Sequence, residues 1–341
     1  MTLRECLLTA LNGGKPERIP YYEVGISGRV LRLLGAKTAG PTDHEGIDAL
    51  DDIPFSVEHE LETAKILNRS HLCFRVLPPV PAERGVGGDG IEYYGAGAIR
   101  TVQEAERFPL PDPEDPALWK GAEALIAAAR EHDLGSVLVS RMGISPVYLA
   151  LGTEAFAYAL YDDPALVEAL LERYSHWCGA VLRKASGLGF DVVHTADDLA
   201  YKTGPLLSPD MFRRMLLPYM RRVAEGVSTP WVFHSDGDVR SLLPDLVNLG
   251  ISGLNPIEPE AMDIVELKEE WGPRIALVGN VSVHLLSAGT PDAVRAEVRR
   301  LFRAVGVSGG YLLASGNSIA PYCKPENIRA MVDEGRESGE L

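Results

Sequence analysis

Eight short runs of β-branched and aromatic residues, separated by longer amphipathic stretches, constrain this sequence more than any other feature. The runs are 19–24 (IPYYEV), 72–77 (LCFRVL), 136–141 (SVLVSR), 191–195 (DVVHT), 231–234 (WVFH), 251–255 (ISGLN), 275–278 (IALV) and 311–315 (YLLAS). Parallel strands are covered on both faces by crossover helices, so short apolar runs alternating with helical segments predict βα units and a parallel sheet. The helical segments have legible ends. Thr2 caps 3–11, which Gly13 and Gly14 stop. Asp115 before Pro116 opens 117–132, Ser208-Pro209 opens 209–225, and Thr290-Pro291 precedes 292–305. The stretch 164–185 repeats apolar residues at Leu166, Ala169, Leu170 and Tyr174 with a helical period. Eight such strands predict an α/β fold, a closed (β/α)8 TIM barrel forming a single domain over 1–341 with an N-terminal helix. Residues 78–115, rich in Gly and Pro, read as an insertion after the second strand, with a short hairpin at 91–98. The competing open doubly wound sheet wants a glycine-rich phosphate loop after its first strand, and Gly25-Ile26-Ser27-Gly28 is a weak substitute.

Charge narrows the function classes. The 33 Lys and Arg against 48 Asp and Glu give a formal net charge of −15. Binding nucleic acid or an anionic membrane over a broad face needs clustered positive charge, so neither is expected. Cys6, Cys73, Cys178 and Cys323 are scattered without a CxxC pair, the usage of a reducing compartment. The uncharged stretch 304–323 is broken by four glycines and Pro321, a poor membrane helix. The N-terminus shows no basic-then-apolar leader pattern, since Arg4 and Glu5 interrupt it. A cytoplasmic protein is the expectation.

A barrel carries its active site at the carboxyl ends of its strands. The polar residues there are Glu23, Arg141, His194, Asp197, Asp198, His234, Asp236, Asn255, Glu258, Asn280, Ser315 and Asn317. Asp197 and Asp198 form either a capping pair or two carboxylates sharing a pocket, in which case repulsion raises one and makes a proton donor. His234 and Asp236, two residues apart in extended chain, share a side and can hold a divalent metal or pair for acid–base work. Arg141 suits a substrate carboxylate or a buried ion pair equally well, and Tyr201 lies at the rim. There is no GxSxG, no P-loop and no HExxH, so nucleophilic catalysis is poorly supported.

The opening Thr2-Leu3-Arg4-Glu5 and Pro16-Glu17-Arg18-Ile19-Pro20 resemble the start of uroporphyrinogen decarboxylase-like proteins. So do Ala196-Asp197-Asp198-Leu199, Gly204-Pro205-Leu206-Leu207-Ser208-Pro209 and His234-Ser235-Asp236-Gly237-Asp238. Gly253-Leu254-Asn255-Pro256, Gly279-Asn280-Val281 and Pro325-Glu326-Asn327-Ile328 follow in the expected order. The resemblance implies a (β/α)8 barrel. True decarboxylases of this kind carry an arginine-rich segment after the first strand that holds substrate carboxylates. Here Glu23-Val24-Gly25-Ile26-Ser27-Gly28-Arg29 keeps at most one such arginine.

The sequence is more similar to the superfamily's corrinoid-dependent methyltransferase branch, in which zinc is held by a His-x-Cys pair, an acid and a distant cysteine. His234 matches and Glu258 supplies the acid, but Asp236 and Asn317 stand where the cysteines would be. Losing both thiolates makes a harder N/O site. The resemblance thus implies methyl transfer between a small methoxylated or methylamine-type substrate and a corrinoid carried by a partner protein. Catalytic residues would be Asp197, Asp198, His234 and Asp236; zinc ligands His234, Asp236 and Glu258; substrate-binding residues Glu23, Arg141, Tyr201, Asn255, Asn280 and Asn317. The alternatives are a decarboxylase of a carboxylic acid anchored by Arg141, and a non-catalytic ligand-binding barrel.

Overall fold

The structure, a computed structural model, describes residues 1–38, 55–87 and 92–340. Its centre is a curled sheet of seven parallel strands: β1 (His71–Arg75), β2 (Gly135–Ser140), β3 (Val192–Ala196), β4 (Trp231–His234), β5 (Gly253–Asn255), β6 (Ala276–Val281) and β7 (Tyr311–Ser315), paired in that order. Seven of the eight expected strands are therefore ladder strands, within three residues of their sequence limits. The eighth, 19–24, touches both sheet edges at Tyr21, through parallel bridges to Arg69 and Leu313.

Side chains complete the seam between this segment and β1. The Arg69 Nε donates to His71 O (2.9 Å) and its Nη1 to Glu23 O (3.4 Å), while Nη2 pairs with the Glu60 carboxylate. Glu60, on the helix Val57–Leu67, also accepts from the Cys73 amide at 2.8 Å. A buried ion pair thus takes the place of missing ladder bonds, which accounts for the shortfall in regular strand.

Alternation along the strands sorts the core in two. Val137, Val139, Val192, Val232, Ala276, Val278, Leu312 and Ala314 form an inner cluster with Tyr22, Val24 and Cys73. The intervening residues pack outward against the helices. The N-terminal helix Leu3–Leu11 is held by a capping box between Thr2 and Glu5 and buries Leu7, Ala10 and Leu11 in that inner cluster. Arg4 anchors it through Asp191 at the start of β3 (2.6 Å). This plug sits at the amino end, so the mouth is left to the carboxyl ends.

Helix limits differ most from expectation in two places. The segment expected at 117–132 is helical only over Ala122–Glu131, because Asp115 caps a turn, accepting from Ala117 N, and Gly121 takes a left-handed φ of 95° just before the helix. The segment expected at 209–225 is two helices, Pro209–Met215 and Leu217–Ala224, since Pro218 cannot donate to the turn before it. Between β1 and β2, Ala82–Val86 pairs antiparallel with Glu92–Gly97. The first residue of the expected hairpin, Ile91, lies outside the described residues. Among the described residues no helix is long and apolar enough to cross a membrane.

Candidate active site

The inward-facing positions change character at the last layer before the mouth. Below it they are apolar or aromatic; at the strand ends they become Arg75, Arg141, His234, Asn255 and Asn280. This polar ring follows directly from the period of two.

His234 is held in place by Asn255. Asn255 donates its amide to Val278 O (3.2 Å), which turns its Oδ1 toward His234 Nδ1 at 2.6 Å. An acceptor there puts the ring proton on Nδ1 and leaves Nε2 facing outward. Nε2 lies 3.4 Å from Asp236 Oδ1 and 4.0 Å from Asp198 Oδ1. A bare nitrogen lone pair against two carboxylates is unfavourable, so this arrangement calls for a proton or a cation between them. Asp236 Oδ1 is buried with no hydrogen-bond partner, while Oδ2 accepts from Asn317 at 2.7 Å. Burial, aided by Asp198 and Glu258, pushes Asp236 up to about 6 against the pull of His234. Donor atoms of Asp198, His234 and Asp236 lie within 4.8 Å of one another. One nitrogen and two oxygens is a donor set that zinc or a harder divalent ion accepts.

The turn carrying Asp236 is held tightly. Gly237 has a φ of 79°, and a Cβ there would meet Tyr201 O at 2.5 Å. Its amide donates to Glu258 Oε2 (2.8 Å), and the Asp236 amide donates to Asp198 Oδ1 (3.0 Å).

The two acids after β3 part company. Asp197 is fully buried and accepts from the amides of Met142, Ile144 (2.9 Å) and Ser145 (2.6 Å), fixing the loop after β2. Burial pushes its carboxyl up from the ordinary aspartate range, opposed by Arg141 and those amides. Asp198 turns to the mouth with its side chain 46% exposed. Arg141 donates to Ala196 O (2.8 Å). Asn280 donates to Ile257 O (2.8 Å) and leaves Oδ1 buried without a partner. Tyr201 lies exposed on the rim. Glu23 faces outward between 19–24 and β7, accepting from the Ser315 amide (3.2 Å) and Tyr21 (3.4 Å), and burial pushes it to about 7. The structure thus gathers Asp198, His234, Asp236, Asn255 and Asn317, with Glu258 on the adjoining turn, and sets Glu23 and Asp197 apart from them.

Sequence reasoning named His194 among the strand-end residues but passed over Arg75 and the buried rings of His71 and Tyr22. Ring centroids step from His71 to Tyr22 (4.4 Å), to His194 (5.9 Å) and to His234 (5.9 Å). The alternation Arg69, His71, Cys73, Arg75 along one strand face was the available signal.

The family model described as uroporphyrinogen decarboxylase (URO-D) matches residues 96–338. The chain belongs to the URO-D family. It is 28% identical over 255 residues to a uroporphyrinogen decarboxylase of Pelodictyon phaeoclathratiforme, covering 70% of each chain. It is also 36% identical over 146 residues to the methylcobamide:CoM methyltransferase MtaA of Methanosarcina barkeri, 42% of this chain and 41% of that one. A solved methyltransferase from Methanosarcina mazei superposes with a TM-score of 0.76 at 22% identity over 99% of both chains, which speaks for a shared fold. URO-D relatives thus include both decarboxylases and methyltransferases.

Proposed function

We propose that this URO-D family member is a (β/α)8 barrel methyltransferase of the cytoplasm, with 19–24 as its eighth strand. It would move a methyl group between a small methoxylated or methylamine-type substrate and a corrinoid held by a partner protein. The observation that carries this reading is His234 Nε2, freed by the Asn255 contact and directed at Asp236 and Asp198 at the end of β4. The stretch shared with MtaA supports it. Zinc fits the three donors, and Asp198, His234 and Asp236 would hold it. When bound, such an ion polarises the heteroatom that parts from the methyl group. The protein's own part is to keep the imidazole in one tautomer through Asn255, and to fix the second Asp236 oxygen through Asn317. Asp198, exposed at the mouth, meets the substrate. The four cysteines, free and buried, are in keeping with a reducing compartment.

A second reading is decarboxylation, supported by the matched decarboxylases and by Asp236, whose elevated carboxyl suits a proton donor at neutral pH. One experiment separates the two. Incubating the protein anaerobically with reduced cobalamin and methoxylated or methylamine substrates should yield the methylcobalamin spectrum, with no carbon dioxide released. Carbon dioxide release without methylcobalamin would replace methyl transfer by decarboxylation. Saturable binding with neither product would leave a ligand-binding barrel.

A further inference from the structure

Arg75 carries a charge that the described structure leaves uncompensated. It is the last inward-facing residue of β1, and its Nη2 donates to Val24 O. Its Nη1 is buried with no partner, and among the described residues no carboxylate pairs with it. Arg141, by contrast, lies close enough to Asp197 to hold that carboxyl down. A guanidinium nitrogen buried without a partner is costly, and native structures rarely leave one.

A second orphaned donor lies two strands away. Strand register pairs Arg75 with Val139, and Val139 with His194, so the three lie in one ladder row across β1, β2 and β3. His194 Nδ1 is 3.2 Å from the buried Tyr22 hydroxyl; with Tyr22 assigned as the donor of that bond, the neutral imidazole carries its N–H on Nε2. That Nε2 is fully buried with no partner. Burial, then the charges of His234 and Arg75, push His194 well below its ordinary value, so the ring is a neutral donor that feels Arg75. Between the two stands Val139, apolar and short, which offers neither donor anything.

We propose that Arg75 and His194 form an anchor for a small carboxylate, the anionic end of the substrate, held above Val139 within one ring of the His234 cluster. The substrate class narrows accordingly: a compact molecule with a carboxylate at one end and the reacting group at the other. The carboxylate would take Nη1 of Arg75 and Nε2–H of His194, satisfying both orphans at once. This rests on the mouth being the substrate site, but not on which reaction occurs there.

Binding of acetate, propionate, inorganic phosphate and neutral propionamide, followed by NMR on the full chain, tests the anchor without turnover. Saturable binding of the carboxylates, with propionamide silent, is expected. Arg75→Gln should weaken it about 10–100-fold, and Arg75→Lys less, because the point charge survives without the fork. Zinc titration serves as a folding and site control and should match wild type in both variants. Carboxylate affinity unchanged in Arg75→Gln, or no saturation in wild type, would overturn the anchor. Phosphate binding in place of carboxylates would overturn the carboxylate assignment. Probe binding intact in a protein that transfers no methyl group would reject the proposed reaction and keep the anchor.

Discussion

Arg69→Met tests how the barrel seam is closed. The guanidinium is 2% exposed and its partner Glu60 16%, so the pair is desolvated. Methionine keeps much of the apolar bulk but removes the donors to His71 O and Glu23 O and leaves the Glu60 carboxylate without a cation. Breaking a buried pair on one side costs about 3–5 kcal/mol. Glu60 retains the Cys73 amide, which argues for the lower half of that range. An unfolding entropy near 2.1 cal/mol/K per residue gives roughly 0.7 kcal/mol/K for a chain this long, so Tm should fall by about 4–6 °C. Urea unfolding followed by tryptophan fluorescence and by circular dichroism measures the free energy directly. Arg69→Lys should fall between the two, since one ammonium cannot reach three acceptors in the fork geometry. A loss below about 1 kcal/mol in Arg69→Met would refute the idea that this side chain substitutes for ladder bonds.

Three further outcomes follow from named contacts. Asn255→Leu removes the acceptor at His234 Nδ1 and should weaken zinc binding about 10–100-fold by calorimetry; unaltered affinity would mean the tautomer is set elsewhere. Glu23 rises from 4.5 to about 7 in the folded protein, so the native state binds the extra proton between those values and stability falls as pH rises through that window. Glu23→Gln escapes that loss, and its stability relative to wild type should improve by about 3 kcal/mol from pH 4 to pH 8; a flat difference would contradict it. Gly237→Ala places a Cβ against Tyr201 O at a positive φ and should cost about 1–3 kcal/mol in chemical denaturation while displacing Asp236.

Much of the architecture was legible because parallel strands write themselves as short apolar runs, and Trp231–His234 and Tyr311–Ser315 were read to the residue. The 19–24 segment was harder: its pairing with β1 runs through Arg69 and Glu60, a contact between a residue before one strand and a helix that no local pattern encodes. The mouth was legible as a set of polar residues after strands, but not as an arrangement. Asp197 and Asp198 are adjacent in sequence, yet backbone amides claim one and the mouth claims the other. Glu23 follows its strand as expected, but its parity with Tyr21 turns it outward. Arg75 was hidden inside an apolar run, where only the inward alternation distinguishes it.

The central claim is that Asp198, His234 and Asp236 form a cation-binding reactive centre. Elemental analysis of the purified protein beside His234→Ala, each after incubation with zinc and removal of the excess, addresses it most directly. About one zinc per chain in wild type, lost in the variant, is the result the account predicts. Zinc absent from wild type, or retained equally by the variant, would contradict it.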